Sequence, residues 1–193
     1  MVCCQTLAPV DTIKITGWRQ LPMIEMHVAG IAVDAVNQNP IVILRDSSER
    51  RALPIWVGKA EANAILQALD DQKPLRPMTH DLILNSWKTW GIRLERVIIH
   101  ALLDNTFYAV LVTFCGDKKQ EIDCRPSDAI ALALRAHVPI WTVEEVIAEA
   151  SIPMNQDADE AEREAFRKFV ENVTPKDFIR SRPFTDHPTE ADS

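Results

Sequence analysis

Residues 92–124, Ile92-Arg93-Leu94-Glu95-Arg96-Val97-Ile98-Ile99-His100-Ala101-Leu102-Leu103-Asp104-Asn105-Thr106-Phe107-Tyr108-Ala109-Val110-Leu111-Val112-Thr113-Phe114-Cys115-Gly116-Asp117-Lys118-Lys119-Gln120-Glu121-Ile122-Asp123-Cys124, decide the fold. Ile92–Leu103 and Phe107–Phe114 are rich in β-branched and aromatic side chains, as strands require. Asp104-Asn105-Thr106 between them is a tight turn whose residues tolerate positive φ, so the two runs form a hairpin. Gly116-Asp117-Lys118 turns the chain again into Gln120–Cys124.

Working outward, the upstream region reads as a second antiparallel meander. Ile24, Met26 and Val28 alternate with Glu25 and His27, Gly30 interrupts, and Ile31–Val36 continues the extended pattern. Asn37-Gln38-Asn39-Pro40 turns into a short strand, Ile41–Leu44, and Asp46–Glu49 turns back into Arg51–Val57. Gly58 ends that strand. Glu61–Leu69 then has helical spacing, with Ile65, Leu66 and Leu69 on one face. Pro74 and Pro77 separate it from a second helix, with Thr79 as N-cap, Leu82, Ile83 and Trp87 inward, and Gly91 closing it. Downstream of the hairpin, Arg125-Pro126-Ser127-Asp128 opens an Ala- and Leu-rich helix through Arg135, with Pro126 suited to its first position. Ile140–Val143 is a further strand and Glu144–Ala150 a further helix. Meanders plus segregated helices give an α+β fold, a largely antiparallel or mixed sheet with helices packed on it.

Three segments follow. Residues 1–22 are an irregular lead-in, 23–153 form the domain, and 154–193 form an acidic, partly disordered tail with an amphipathic helix over 157–170. Residues 155–193 carry a net charge of −4, leaving −3 for the rest of the formal −7. With 193 residues, 47% apolar and 25% charged, bulk disorder, collagen repeats and coiled coils are excluded. The charge also excludes a wholly basic nucleic-acid glove, so an anionic partner must be met by a local patch. No apolar run is long enough to span a bilayer, and Met1–Lys14 lack the pattern of a secretory signal; the expected compartment is the cytoplasm, with no membrane partner. Cys3, Cys4, Cys115 and Cys124 form no C-x-x-C pair and read as free thiols.

Three clusters could carry chemistry. Thr79-His80-Asp81 opens a helix, where His80 can move a proton near neutral pH and Asp81 can orient it or bind a metal; the plainer account is a cap with an acid in the first turn. Asp123-Cys124-Arg125-Pro126-Ser127-Asp128 sits at a strand-to-helix junction. There Arg125 could clamp a phosphate and Asp123 and Asp128 could hold a divalent cation, or Arg125 could simply pair with either acid. Gly58-Lys59-Ala60-Glu61 offers a point charge and a carboxylate, or a solvated helix start. Asp104 reads as a turn former and His100 as a core or sheet-face histidine. Trp56, Trp87, Trp90 and Trp141 read as core.

Four strings carry a resemblance: Leu53-Pro54-Ile55-Trp56-Val57-Gly58, Arg76-Pro77-Met78-Thr79-His80-Asp81-Leu82, Leu103-Asp104-Asn105-Thr106-Phe107-Tyr108-Ala109, and Ile122 through Ala133. In this order they resemble the bifunctional nuclease domain family, over roughly residues 24–152, and the acidic tail is similar to that of cyanobacterial-type members. The resemblance implies an α+β domain that self-associates, with a dimer favoured, and that cuts both RNA and DNA. Glu61, His80, Asp81, Asp104, Asp123, Arg125, Ser127 and Asp128 match its motifs. Cys124 stands where relatives often have Ala, which argues against a thiol mechanism, and Asn105 replaces a frequent Gly.

Cutting both polymers excludes the ribose 2′-hydroxyl as sole nucleophile and requires activated water. The expected catalytic residues are His80, Asp81, Glu61 and Asp128, with Arg125, Ser127 and Lys59 binding substrate. A divalent metal, Mg or Mn, is expected near Glu61, Asp81, Asp123 and Asp128. The negative charge predicts weak, salt-sensitive binding of RNA or DNA. The competing class is a non-enzymatic module that binds a small anion or a protein at the Arg125 helix start.

Overall fold

The structure, a computed structural model, describes residues 18–34, 37–71 and 74–153. The expected helix over 157–170 lies outside the described residues. One mixed sheet organises the rest. Its strands are β1 (Met23–Val33), β2 (Pro40–Asp46), β3 (Arg51–Trp56), β4 (Ile92–Leu103), β5 (Thr106–Cys115), β6 (Lys118–Cys124), β7 (Ile140–Val143) and β8 (Ile152–Pro153). The order across the sheet is β6-β5-β4-β7-β1-β2-β3-β8. All neighbours are antiparallel except β4 and β7, which run parallel with Ile98 opposite Trp141. The helices are α1 (Lys59–Leu69), α2 (Thr79–Thr89), α3 (Pro126–Ala136) and α4 (Glu144–Ala150). The α+β class read from the sequence is the class observed.

The expected hairpin is β4–β5. Its loop is Asp104-Asn105, with φ of 47° and 58° at the two residues, the left-handed pair that lets a two-residue turn follow the strand twist. The meander β1–β2–β3 also forms, and Gly30 falls where the β1–β2 register shifts after Val28. Val97, Ile98 and Ile99 are all buried although successive strand side chains point to opposite faces. Both faces of β4 are therefore covered. α3 packs on β4 and β5, carrying α1 and α2 on its flanks, and α4 packs on β3, β4 and β7.

Four details differ from the sequence reading. Met78, not Thr79, occupies the N-cap of α2; Asp81 lies three residues on, and its Oδ2 accepts the Met78 N–H at 2.8 Å. Leu82 points outward, while Ile83, Leu84 and Trp87 pack on the core. Trp56 and Trp90 are 57% and 66% exposed instead of buried, whereas Trp87 and Trp141 pack inward as expected. Within the lead-in, a single 3-10 turn at Trp18–Gln20 buries Trp18, which stacks on His100 with ring centroids 5.2 Å apart. Burial holds the His100 imidazole below its usual pKa, against the charges of Asp123 and Glu121, so this ring is a neutral core group. No helix among the described residues is long and apolar enough to cross a membrane.

Candidate active site

Three helix starts meet at Arg125. This residue is the N-cap of α3, in an extended conformation between β6 and the helix, with Pro126 following at the first helical position. Its guanidinium makes a fork onto Asp128, Nε to Oδ2 at 2.7 Å and Nη2 to Oδ1 at 3.2 Å. Nη1 donates to Glu61 Oε1, in the first turn of α1, at 3.1 Å. On its other side, Asp128 Oδ1 lies 3.3 Å from His80 Nε2, in the first turn of α2. The chain of contacts Glu61–Arg125–Asp128–His80 thus joins three helices that are far apart in sequence.

The electrostatics follow from this arrangement. Burial opposes ionisation of Asp128, but hydrogen bonds from Arg125 and His80 outweigh it and hold the carboxyl below the usual range. Hydrogen bonding to Asp128, then to Glu61, strengthens the charge on Arg125. The Arg125 side chain remains 65% exposed, while that of His80 is 13% exposed. The site therefore presents an exposed cation to solvent above a sheltered carboxylate–imidazole pair. Beside it, the Cys124 thiol is pushed up to about 12 by burial and by the charges of Asp123 and Asp128. It stays protonated at neutral pH and is no nucleophile.

Gly58 shapes the entrance. A Cβ at this position would collide with Glu61 Oε2, so the glycine leaves room for the carboxylate to fold back toward Arg125. Two clefts flank the guanidinium. One, of about 270 Å³, runs between Trp56, Glu61, Phe107 and Arg125; the other, of about 520 Å³, is bounded by Phe107, Tyr108, Asp123, Arg125 and Asp128. Ser127 is buried on the wall of the first cleft, and Lys59 is exposed at the first position of α1. Asp123 stands on the rim of the second cleft. Asp104 sits in the β4–β5 turn.

Asp81 stands apart from this group. Arg135 Nε donates to its Oδ1 at 3.0 Å and the Met78 N–H to its Oδ2, so the carboxylate caps α2 and faces the Arg135 cleft. The side chains brought together are Glu61, His80, Arg125 and Asp128, and no group of three or more His, Cys, Asp or Glu forms a metal-ligand cluster among the described residues. Arg135 itself was invisible to motif reasoning. Besides Asp81 it donates to the Ala64 carbonyl of α1 at 2.9 Å and the Ala131 carbonyl of α3 at 3.0 Å, clasping the three helices that carry the site. In sequence it reads only as a basic residue in a last helical turn, a common dipole partner.

Comparison with known proteins adds an independent line. A family model described as the bifunctional nuclease domain matches residues 42–155, which include every residue of the Arg125 group. The chain is 38% identical over 162 residues to an uncharacterized protein of Mycobacterium tuberculosis, covering 80% of this chain and 97% of that protein. It is 29% identical over 133 residues to Bifunctional nuclease 2 of Oryza sativa subsp. japonica, covering 66% of this chain and 41% of the rice protein. To the Bifunctional nuclease of Oryza minuta it is 27% identical over 110 residues, covering 55% and 33%.

Proposed function

This chain belongs to the bifunctional nuclease domain family, and on that premise we propose that it hydrolyses phosphodiester bonds of RNA and DNA with little sequence preference, at the Glu61–Arg125–Asp128–His80 group. Family membership makes it a nuclease acting on nucleic acids. One observation supports this location above others: an exposed guanidinium is held at the mouth of a cleft over a carboxylate that also touches a histidine.

The chemistry follows from the groups present. Asp128 orients His80 as a carboxylate orients a general base. His80 takes a proton from a water as its oxygen bonds to phosphorus. The ester bond to the leaving sugar oxygen breaks, and that oxygen takes a proton from solvent. Arg125 turns from its two carboxylates toward the non-bridging phosphate oxygens, where its planar fork matches the charge that develops. Glu61 and Asp128 would be the oxygen donors for a Mg or Mn ion once Arg125 has turned away. Such an ion would supply added charge and a more acidic water.

The test compares wild type with His80→Ala, purified in parallel, on end-labelled RNA and DNA strands of one sequence, with chelator and then Mg or Mn restored. The reading expects His80→Ala to lose roughly 10²- to 10⁴-fold in kcat on both polymers. It expects chelation to suppress wild-type cleavage and the metal to restore it. Cleavage that persists unchanged in His80→Ala, or that follows purification grade, would leave only a module binding anions at Arg125.

A further inference from the structure

Trp56 stands exposed at the end of β3, on the wall of the cleft that Arg125 borders. It ends β3 where the chain turns through Val57 and Gly58 into α1, and β8 covers β3 only at Arg51 and Ala52, far from this end. Its indole is 57% exposed, whereas Trp18, from the same sequence, is buried. At the edge of this charged cleft it offers a flat apolar face beside a cation.

Its neighbours define what it faces. Trp56 walls the same 270 Å³ cleft as Phe107, Glu61 and Arg125. Thr106, Phe107 and Arg125 also border the second cleft, where Tyr108 stands. Aromatic side chains thus line both clefts that Arg125 borders. A sugar–phosphate chain has the same alternation: a flat apolar base beside each charged linkage. A phosphate at Arg125 would have the cleft lined by Trp56 open to the adjoining base.

We infer that Trp56 is a stacking platform for an unpaired nucleobase, which makes single-stranded nucleic acid the substrate class of this site; the inference rests on the proposed nuclease reading. The physical reason is geometric. In a duplex both faces of a base are occupied by its neighbours, and extruding one costs its stacking and pairing. A chain of net charge −7 supplies little overall attraction for phosphates to offset that cost. A free strand presents its base faces at no such cost, and every base has one, so stacking is indifferent to sequence.

The experiment uses the full chain and a 20-nucleotide DNA strand, alone and annealed to its complement, with wild type, Trp56→Ala, Trp56→Phe and His80→Ala. Wild type should cut the strand alone at least about tenfold faster than the duplex at concentrations below KM. Trp56→Ala should raise KM for the single strand by roughly 5- to 100-fold while kcat stays within about twofold, and Trp56→Phe should recover most of the loss. An unchanged KM in Trp56→Ala, or a duplex cut as fast as the strand, overturns the inference. His80→Ala separates the two levels. If it is inactive while Trp56→Ala behaves as wild type, stacking alone fails; if it cuts normally, the nuclease site itself is misplaced.

Discussion

In the proposed reaction Arg125 meets the phosphate charge, and its immediate neighbours make opposite predictions. Replacing it by Lys keeps the charge but loses the fork that grips Asp128 and matches a phosphate. Arg125→Lys should therefore lower kcat/KM by at least about tenfold, read with a fluorogenic oligonucleotide. Cys124 lies next to it in sequence, yet its thiol is too weak an acid to act. Cys124→Ala should cleave at the wild-type rate, and iodoacetamide at neutral pH should leave the wild-type rate untouched. Asp128 carries a pH signature. Its folded carboxyl is more acidic than the unfolded one, so its contribution to stability is present above the unfolded pKa and is lost as pH falls through the lower folded value. The difference in urea midpoint between wild type and Asp128→Asn should be full near neutral pH and shrink below about pH 4. A difference that grows on acidification would reverse the assigned direction. Cys124 and Asp128 were legible from motif membership; the Gly58 contact with Glu61 was not, because it depends on how one side chain folds back in space.

At the level of elements, the site is a junction of helix starts held together by Arg135. Its side chain is nearly buried and bonds α1, α2 and α3 at once. Arg135→Ala leaves two carbonyls and one carboxylate without this donor, although Asp81 keeps partial access to water. The expected cost is about 2–4 kcal/mol, measured as a lowered urea midpoint, together with a fall in activity as α2 carries His80 away from Asp128. An unchanged midpoint would mean that helix packing alone holds the junction. The sequence was informative about these elements where local chemistry decides. The positive-φ turn Asp104-Asn105, Pro126 at the first position of α3 and the apolar spacing of α1 are local signals. It was silent where pairing is distant. Nothing in Ile140–Val143 says that it lies parallel to β4, since the β5–β6–α3 excursion that brings it there is set by the whole sheet. The start of α2 misled for a related reason: Thr79 is a good cap by type, but Asp81 satisfies Met78 from within the helix.

The molecule as a whole is acidic, and the local cation at Arg125 works against that background. Few phosphates can be neutralised at once, so oligonucleotide binding should be weak, with a salt sensitivity set by those few contacts. With Arg125 and Lys59 as the contacts, the slope of log K against log salt for a single strand should be roughly −1 to −2. A slope several times steeper would reveal a larger basic surface. The spread of exposed and buried tryptophans marks the limit of composition-based reading at this scale. Trp56 and Trp87 are the same residue type, and only the sheet's edge and the α2 face decide which meets solvent. The most direct measurement is kcat/KM for wild type and Arg125→Ala, purified side by side, on RNA and DNA strands of identical sequence. A loss of at least about 100-fold on both polymers is the predicted result; retention of the wild-type rate on either would contradict the account.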